Sequence, residues 1–134
     1  MKFLLDTHVL LWWVVGDPRV EPVRKTVENP ANEVYYSAAS IWEIAIKHSI
    51  GRLRITPGEA RREFENAGFA ELEITAGHAA AVGDLPYRED HKDPFDRMLI
   101  VQAQEEQMDL ISADSKFGGY SGFRLVMLGN GGTK

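Results

Sequence analysis

The chain contains no cysteine, which excludes both a disulfide framework and a thiolate zinc site. It also lacks a long apolar run. The longest, Val9 to Val15, falls far short of the roughly 20 residues a membrane-spanning helix needs. No small-residue cleavage site follows the N-terminal apolar stretch, and Asp6 and His8 interrupt it, so the reading is a soluble, cytoplasmic chain. Basic charge is in deficit, with a formal net charge of −5. A protein that grips nucleic acid by basic surface alone carries the opposite sign. An enzyme that meets phosphates through a bound cation remains open. His8, His48, His78 and His91 lie on different predicted elements with no ligand spacing among them, so each reads as a core or surface histidine.

What the chain has is enough apolar material for one core. Hydrophobic residues make up 44% of 134 residues, too many for a disordered segment and a suitable number for a single domain over 1–134. The tail from about Gly129 is expected to fray. Phe3, Leu4 and Leu5 form a continuous apolar run, as in a strand buried on both faces of a parallel sheet. The run stops at Asp6, and a helical pattern with Val9, Leu10, Trp13 and Val14 on one face begins at Thr7. A carboxylate thus stands where a strand ends and a helix starts, the place where open α/β sheets bind ligands.

The same alternation continues. A polar helix is predicted from Asp17-Pro18 to Asn29, then a strand at Val34 to Tyr36 and a helix from Ser37 that Gly51 closes. Thr56-Pro57 opens a further helix that ends at Gly68. Glu71 to Ile74 is a weak strand, Thr75 caps a short Ala-rich helix, and Tyr87 to Lys92 is a polar loop. Asp93-Pro94 starts a long helix through Gln107. Strands follow at Leu110 to Ser112 and Phe123 to Leu128. Strands alternating with helices predict an α/β domain around a parallel sheet.

Four places put carboxylates near the carboxyl edge of that sheet: Asp6, Glu43, the pair Asp93 and Asp96, and Asp114. If the first, second and fourth strands are neighbours, these acids meet in one cleft. Crowded carboxylates raise one another's pKa and call for a cation. An all-oxygen set favours Mg²⁺ or Mn²⁺, which polarise a phosphoryl oxygen and acidify water. Each acid also has a plainer reading. Asp6 and Asp93 suit helix N-caps. Glu43 with Lys47 suits an i,i+4 ion pair, and Ser40 with Glu43 a capping box. Asp96 suits the positive end of a helix dipole, and Asp114 a turn.

Four blocks taken together make the chain recognisable: Leu4-Leu-Asp-Thr-His-Val-Leu-Leu-Trp-Trp13, Ser37-Ala-Ala-Ser-Ile-Trp-Glu-Ile-Ala-Ile-Lys47, His91-Lys-Asp-Pro-Phe-Asp-Arg-Met-Leu-Ile100 and Leu110-Ile-Ser-Ala-Asp-Ser-Lys-Phe117. In this order they closely resemble the PIN-domain ribonucleases, specifically the VapC-like toxins of toxin–antitoxin pairs. The resemblance implies a five-stranded parallel sheet in order 3-2-1-4-5. It implies an acid quartet of Asp6, Glu43, Asp96 and Asp114 holding Mg²⁺ or Mn²⁺, with Asp93 as an accessory candidate. It further implies RNA cleavage that leaves a 5′-phosphate and a 3′-hydroxyl, and a VapB-like antitoxin as partner. A homodimer is expected as well. Thr7 and Ser112 are candidate hydroxyls near the phosphate, or simply a cap and a strand-end serine. Arg97 and Lys116 either steady the phosphate or form solvated ion pairs. Trp12, Trp13 and Trp42 read as core residues. Because adjacent tryptophans point about 100° apart on a helix, burying both Trp12 and Trp13 takes a second covering surface. Two further readings belong to other classes. One is a catalytically silent module of the same fold, controlled by a partner, which retention of all four acids disfavours. The other is a phosphoacceptor signalling domain, which would need an acceptor Asp after a middle strand where Ile74-Thr75 offers none.

Overall fold

A computed structural model describes residues 1–128. The expectation of a fraying tail from Gly129 lies outside the described residues. Five parallel strands form one sheet in the order β3-β2-β1-β4-β5, as expected. They are β1 (Lys2–Leu5), β2 (Glu33–Ser37), β3 (Ala70–Leu72), β4 (Asp109–Ser112) and β5 (Leu125–Met127). β1 sits in the middle, with Leu5 opposite Tyr36 of β2 and Ile111 of β4. Asp6 leaves the sheet there, its amide still donating to the Ile111 carbonyl at 3.1 Å.

The strands are apolar on both faces because both are covered. Side chains alternate along each strand, so Phe3, Leu5, Val34, Tyr36 and Ile111 enter one core while Leu4, Leu72 and Leu110 enter the other. The first core is closed by helices α1 (Thr7–Val15), α3 (Ala38–Ser49) and α4 (Pro57–Asn66), through Val9, Leu10, Ile44 and Phe64. The second is closed chiefly by α6 (Pro94–Glu106), through Leu99, Ile100, Val101 and Ala103. Each fully buried Leu or Ile of this kind contributes about 1.5–3 kcal/mol by leaving water.

The predicted polar helix after Asp17 is broken. A 3-10 turn covers Pro18–Val23, and α2 is only Arg24–Glu28. Pro22 has no N–H to give and its ring crowds the preceding turn, so a continuous α-helix cannot pass it. The edge strand β3 stops at Leu72 rather than Ile74, because the Glu73 carbonyl accepts the Gln102 side-chain amide at 3.1 Å instead of a strand partner. β5 is shorter than expected at both ends, although Leu128 still donates to the Ser112 carbonyl at 2.9 Å. The Ala-rich helix α5 (Ala76–Ala81) begins in a capping box of Thr75 with His78. α1 and α6 have left-handed C-caps, Gly16 with φ 70° and Gln107 with φ 57°, and the left-handed glycines Gly51 and Gly68 follow the caps of α3 and α4. No helix among the described residues is long and apolar enough to cross a membrane.

Candidate active site

Each acid reaches the carboxyl edge of the sheet by a local device. Asp6 is the N-cap of α1: its Oδ1 accepts the Val9 amide at 2.9 Å. Its Oδ2 accepts a very short hydrogen bond from Ser112 Oγ at the end of β4. The same Ser112 hydroxyl accepts the Asp114 amide at 2.9 Å. One serine therefore links the acid after β1 to the acid after β4. Asp114 Oδ1 caps the following 3-10 turn through the Lys116 amide at 2.9 Å. Asp6 is 4% exposed, and that burial pushes its carboxyl above the usual range, against the hydrogen bonds from Ser112 and Val9.

Glu43 comes in on α3. The helix starts before Ser40, as expected from Ser37 onward, so Ser40 and Glu43 form no capping box. Ser37 caps α3, accepting the Ala39 amide at 2.9 Å, because the helix begins a turn earlier. Ser40 Oγ instead receives the Thr7 hydroxyl at 2.8 Å, tying α3 to α1. The ion pair with Lys47 does form at 2.8 Å, yet Glu43 is 6% exposed and is no solvated surface acid.

Asp96 lies in the first turn of α6. Asp93 is the N-cap, its Oδ1 accepting the amides of Phe95 at 2.8 Å and Asp96 at 3.1 Å. Burial, then the charges of Asp93, Asp6, Glu43 and Asp114, push the Asp96 pKa up to about 8. The charges acting on Asp96 thus come from the acids that follow β1 and β4 and from Glu43 on α3, as well as from its own cap Asp93. Ligand atoms of His91, Asp96 and Asp114 lie within 4.8 Å of one another. Beside them a cleft of about 390 Å³ is lined by Asp6, His8, Trp12, Ala113, Asp114 and Ser115.

The remaining candidates fall as follows. Arg97 does not face the acids; its guanidinium donates to the carbonyls of Pro86 at 3.1 Å and Leu85 at 3.3 Å, clasping the segment that precedes α6. Lys116 is exposed, two residues beyond Asp114. Neither forms an ion pair among the described residues. Trp12 and Trp13 are half-buried, with Arg19 and Arg24 guanidinium groups 4.3 Å and 5.1 Å from their ring centres. Trp42 departs from its reading as core: it is 59% exposed and packs edge-on to Phe95. The residue that sequence reasoning set aside is His91. It belongs to the polar loop, yet it is buried, and its Nε2 is 3.1 Å from Asp96 Oδ2. The only signal available was its place five residues before Asp96.

The family model for the PIN domain matches residues 3–122. The chain belongs to the PIN-domain family. Among solved structures it is similar to VapBC2 from Rickettsia felis bound to a DNA fragment from their promoter. That match has a TM-score of 0.70 at 14% identity, covering 95% of this chain and 98% of the other. DNA-bound VapBC from Salmonella typhimurium aligns with a TM-score of 0.69 at 16% identity, covering 96% and 98%. A domain of a functionally unknown protein from Methanocaldococcus jannaschii aligns at 0.61 and 16% identity, covering 99% and 94%. No curated protein matches the chain by sequence. At these identities the structural matches speak to the fold of the PIN domain.

Proposed function

We propose that this PIN domain is a metal-dependent endoribonuclease and the toxin of a toxin–antitoxin pair, cutting RNA phosphodiesters at the cleft of Asp6, Glu43, Asp96 and Asp114. The observation that carries the reading is the crowding at Asp96: ligand atoms of His91, Asp96 and Asp114 lie within 4.8 Å of one another, and burial with the charges of four neighbouring acids pushes the Asp96 carboxyl up to about 8. Natural domains do not retain such repulsion for stability; it fits a centre that is completed by a cation. The donor set is hard oxygen with one imidazole alongside, which suits Mg²⁺ or Mn²⁺. When bound, the cation would supply charge to the phosphate oxygens and a water acidic enough to attack phosphorus.

The chain's own residues do the rest. Ser112 and the Val9 amide hold Asp6 in one orientation before any substrate arrives. Lys47 pairs with Glu43 at 2.8 Å and limits its charge. Lys116 is exposed beside Asp114 and serves to meet an RNA phosphate. Thr7 and Arg97 are accessory by bracing: Thr7 fixes α1 to α3, and Arg97 fixes the segment before α6. Asp93 is accessory as the cap that aims Asp96.

A VapB-like antitoxin is the proposed partner, since two of the similar structures are VapBC proteins. Its seat is the surface of α1 and α4, where Val15 is exposed and Val14, Arg54, Ile55, Glu59, Arg62 and Glu63 line a groove. Trp42 and Ile46 on α3 and Ile50 at its C-cap, spaced four residues apart, are exposed and are the proposed homodimer contact. A stable interface at either place should bury more than about 1,000 Å². The compartment proposed is the cytoplasm, where the RNA substrate is. The test is to induce the chain without its operon partner and map new RNA ends. Discrete 5′-phosphate ends that vanish with Asp6→Asn support the reading. RNA binding with no new ends would instead identify a silent module.

A further inference from the structure

We propose that His91 is the positioning residue for Asp96, acting through a Tyr120–His91–Asp96 hydrogen-bonded chain and not as a ligand of the cation; this rests on the metal-centre reading above. His91 is 3% exposed, and both ring nitrogens already have protein partners. Nδ1 is 3.1 Å from the Tyr120 hydroxyl, and Nε2 is 3.1 Å from Asp96 Oδ2. A neutral imidazole has one donor and one acceptor. With the Tyr120 hydroxyl donating to Nδ1, the Nε2 proton is directed at Asp96, and every group in the chain is satisfied.

The ring has no freedom to do otherwise. Phe117 packs edge-on against it at 5.1 Å between ring centres, and Tyr120 lies tilted at 5.6 Å. Tyr120 is held in turn by the Arg88 guanidinium, 5.0 Å from its ring centre, while Arg88 donates to the Lys116 carbonyl at 2.9 Å. Gly119 makes room for that contact, since a Cβ there would stand 1.8 Å from Arg88 Nη1. The network therefore ties the loop before α6 to the turn that carries Asp114.

Asp96 needs such a tether. Its side chain is only three-quarters buried, and the neighbouring acids repel it, so without a donor it would swing toward water. With Oδ2 held by His91, Oδ1 has no hydrogen bond among the described residues and is free for the cation. Partners that orient ligating groups in this way typically change metal affinity by about 10–100-fold when removed.

The experiment is Mn²⁺ titration of the purified chain, without RNA, followed by the paramagnetic resonance of free Mn²⁺. Wild type is compared with His91→Ala, His91→Gln and Tyr120→Phe, and melting in EDTA checks folding. His91→Ala should weaken Mn²⁺ by about 10–100-fold. His91→Gln, whose amide nitrogen can take the place of Nε2, should restore most of that loss. Tyr120→Phe should weaken binding by less than His91→Ala. Echo-modulation spectra of bound Mn²⁺ should show no directly coordinated nitrogen. If His91→Ala does not fold, Tyr120→Phe decides, and wild-type affinity in that variant overturns the proposal. A directly bonded imidazole nitrogen overturns it, as does a lower melting point in His91→Ala at unchanged affinity. Wild type that binds no Mn²⁺ overturns the metal-centre reading and this inference with it; wild-type binding that ignores His91 overturns this inference alone.

Discussion

Replacing Asp96 with Asn should stabilise the metal-free protein, and by more as pH rises. The folded-state pKa of Asp96 is raised from 3.8 to about 8. Between those values the folded chain keeps a proton that the unfolded chain releases, so stability falls with rising pH, by about 1.4 kcal/mol per unit. From pH 5 to pH 8 the upper limit is about 4 kcal/mol. A quarter of the side chain is exposed, so water screens part of the repulsion, and about 2 kcal/mol is the expected size. For a domain of this length that is on the order of 8 °C in Tm. Asn keeps the shape and cannot ionise, so its curve lacks this component. Thermal scans in EDTA at pH 5, 6.5 and 8 should show the gap between Asn and wild type widening across the range. Parallel curves would refute the raised pKa of Asp96, which burial causes first and the neighbouring acids second. The same variant should lose at least about 100-fold in RNA cleavage, the scale of removing a preorganised electrostatic partner.

Asp93→Asn is the matched control. Asn caps as well as Asp, so stability should hold within about 0.5 kcal/mol with most cleavage retained; a dead Asp93→Asn beside an active Asp96→Asn would reverse the assignment. Mg²⁺ or Mn²⁺ at about a hundredfold excess over Kd should stabilise the fold by roughly 2.7 kcal/mol, and a melting shift that persists unchanged in Asp6→Asn would place the cation elsewhere. Below pH about 8, cation binding must displace the Asp96 proton, so Mn²⁺ affinity should climb by up to about tenfold per pH unit. A flat profile from pH 6 to 8 would contradict this. Expression with the neighbouring reading frames should co-purify a small partner, and a chain that stays alone, monomeric and harmless to growth would contradict the toxin role.

The sheet was legible because its strands are continuous apolar runs ending at marked junctions: Leu5-Asp6 and Ser112-Ala-Asp114 show where β1 and β4 stop, while β2 runs one residue past the expected Tyr36 to Ser37. Strand order came from the resemblance, since periodicity in β1 and β4 carries no information about which strands are neighbours. Asp6 and Asp114 could be read as acids at strand ends, but the Ser112 hydroxyl that joins them could not, because it links residues 106 positions apart. Glu43 illustrates two readings that hold together: it makes the i,i+4 pair with Lys47 and is nonetheless buried, its charge felt by Asp96. His91 was illegible for a different reason. Its partners, Tyr120 and Phe117, come from the far side of β4, so nothing near it in sequence marks it as buried. Trp42 misled in the opposite sense, since a large aromatic beside buried Glu43 points outward onto Phe95.

The most direct test of the central claim is cleavage of RNA by the purified chain with Mg²⁺, with EDTA, and with Mg²⁺ restored. Cutting should be abolished by EDTA and restored by Mg²⁺, should leave 5′-phosphate ends, and should be absent in Asp114→Asn under all three conditions. Cleavage that continues in EDTA, or that leaves 2′,3′-cyclic phosphate ends, would contradict a metal centre built from Asp6, Glu43, Asp96 and Asp114.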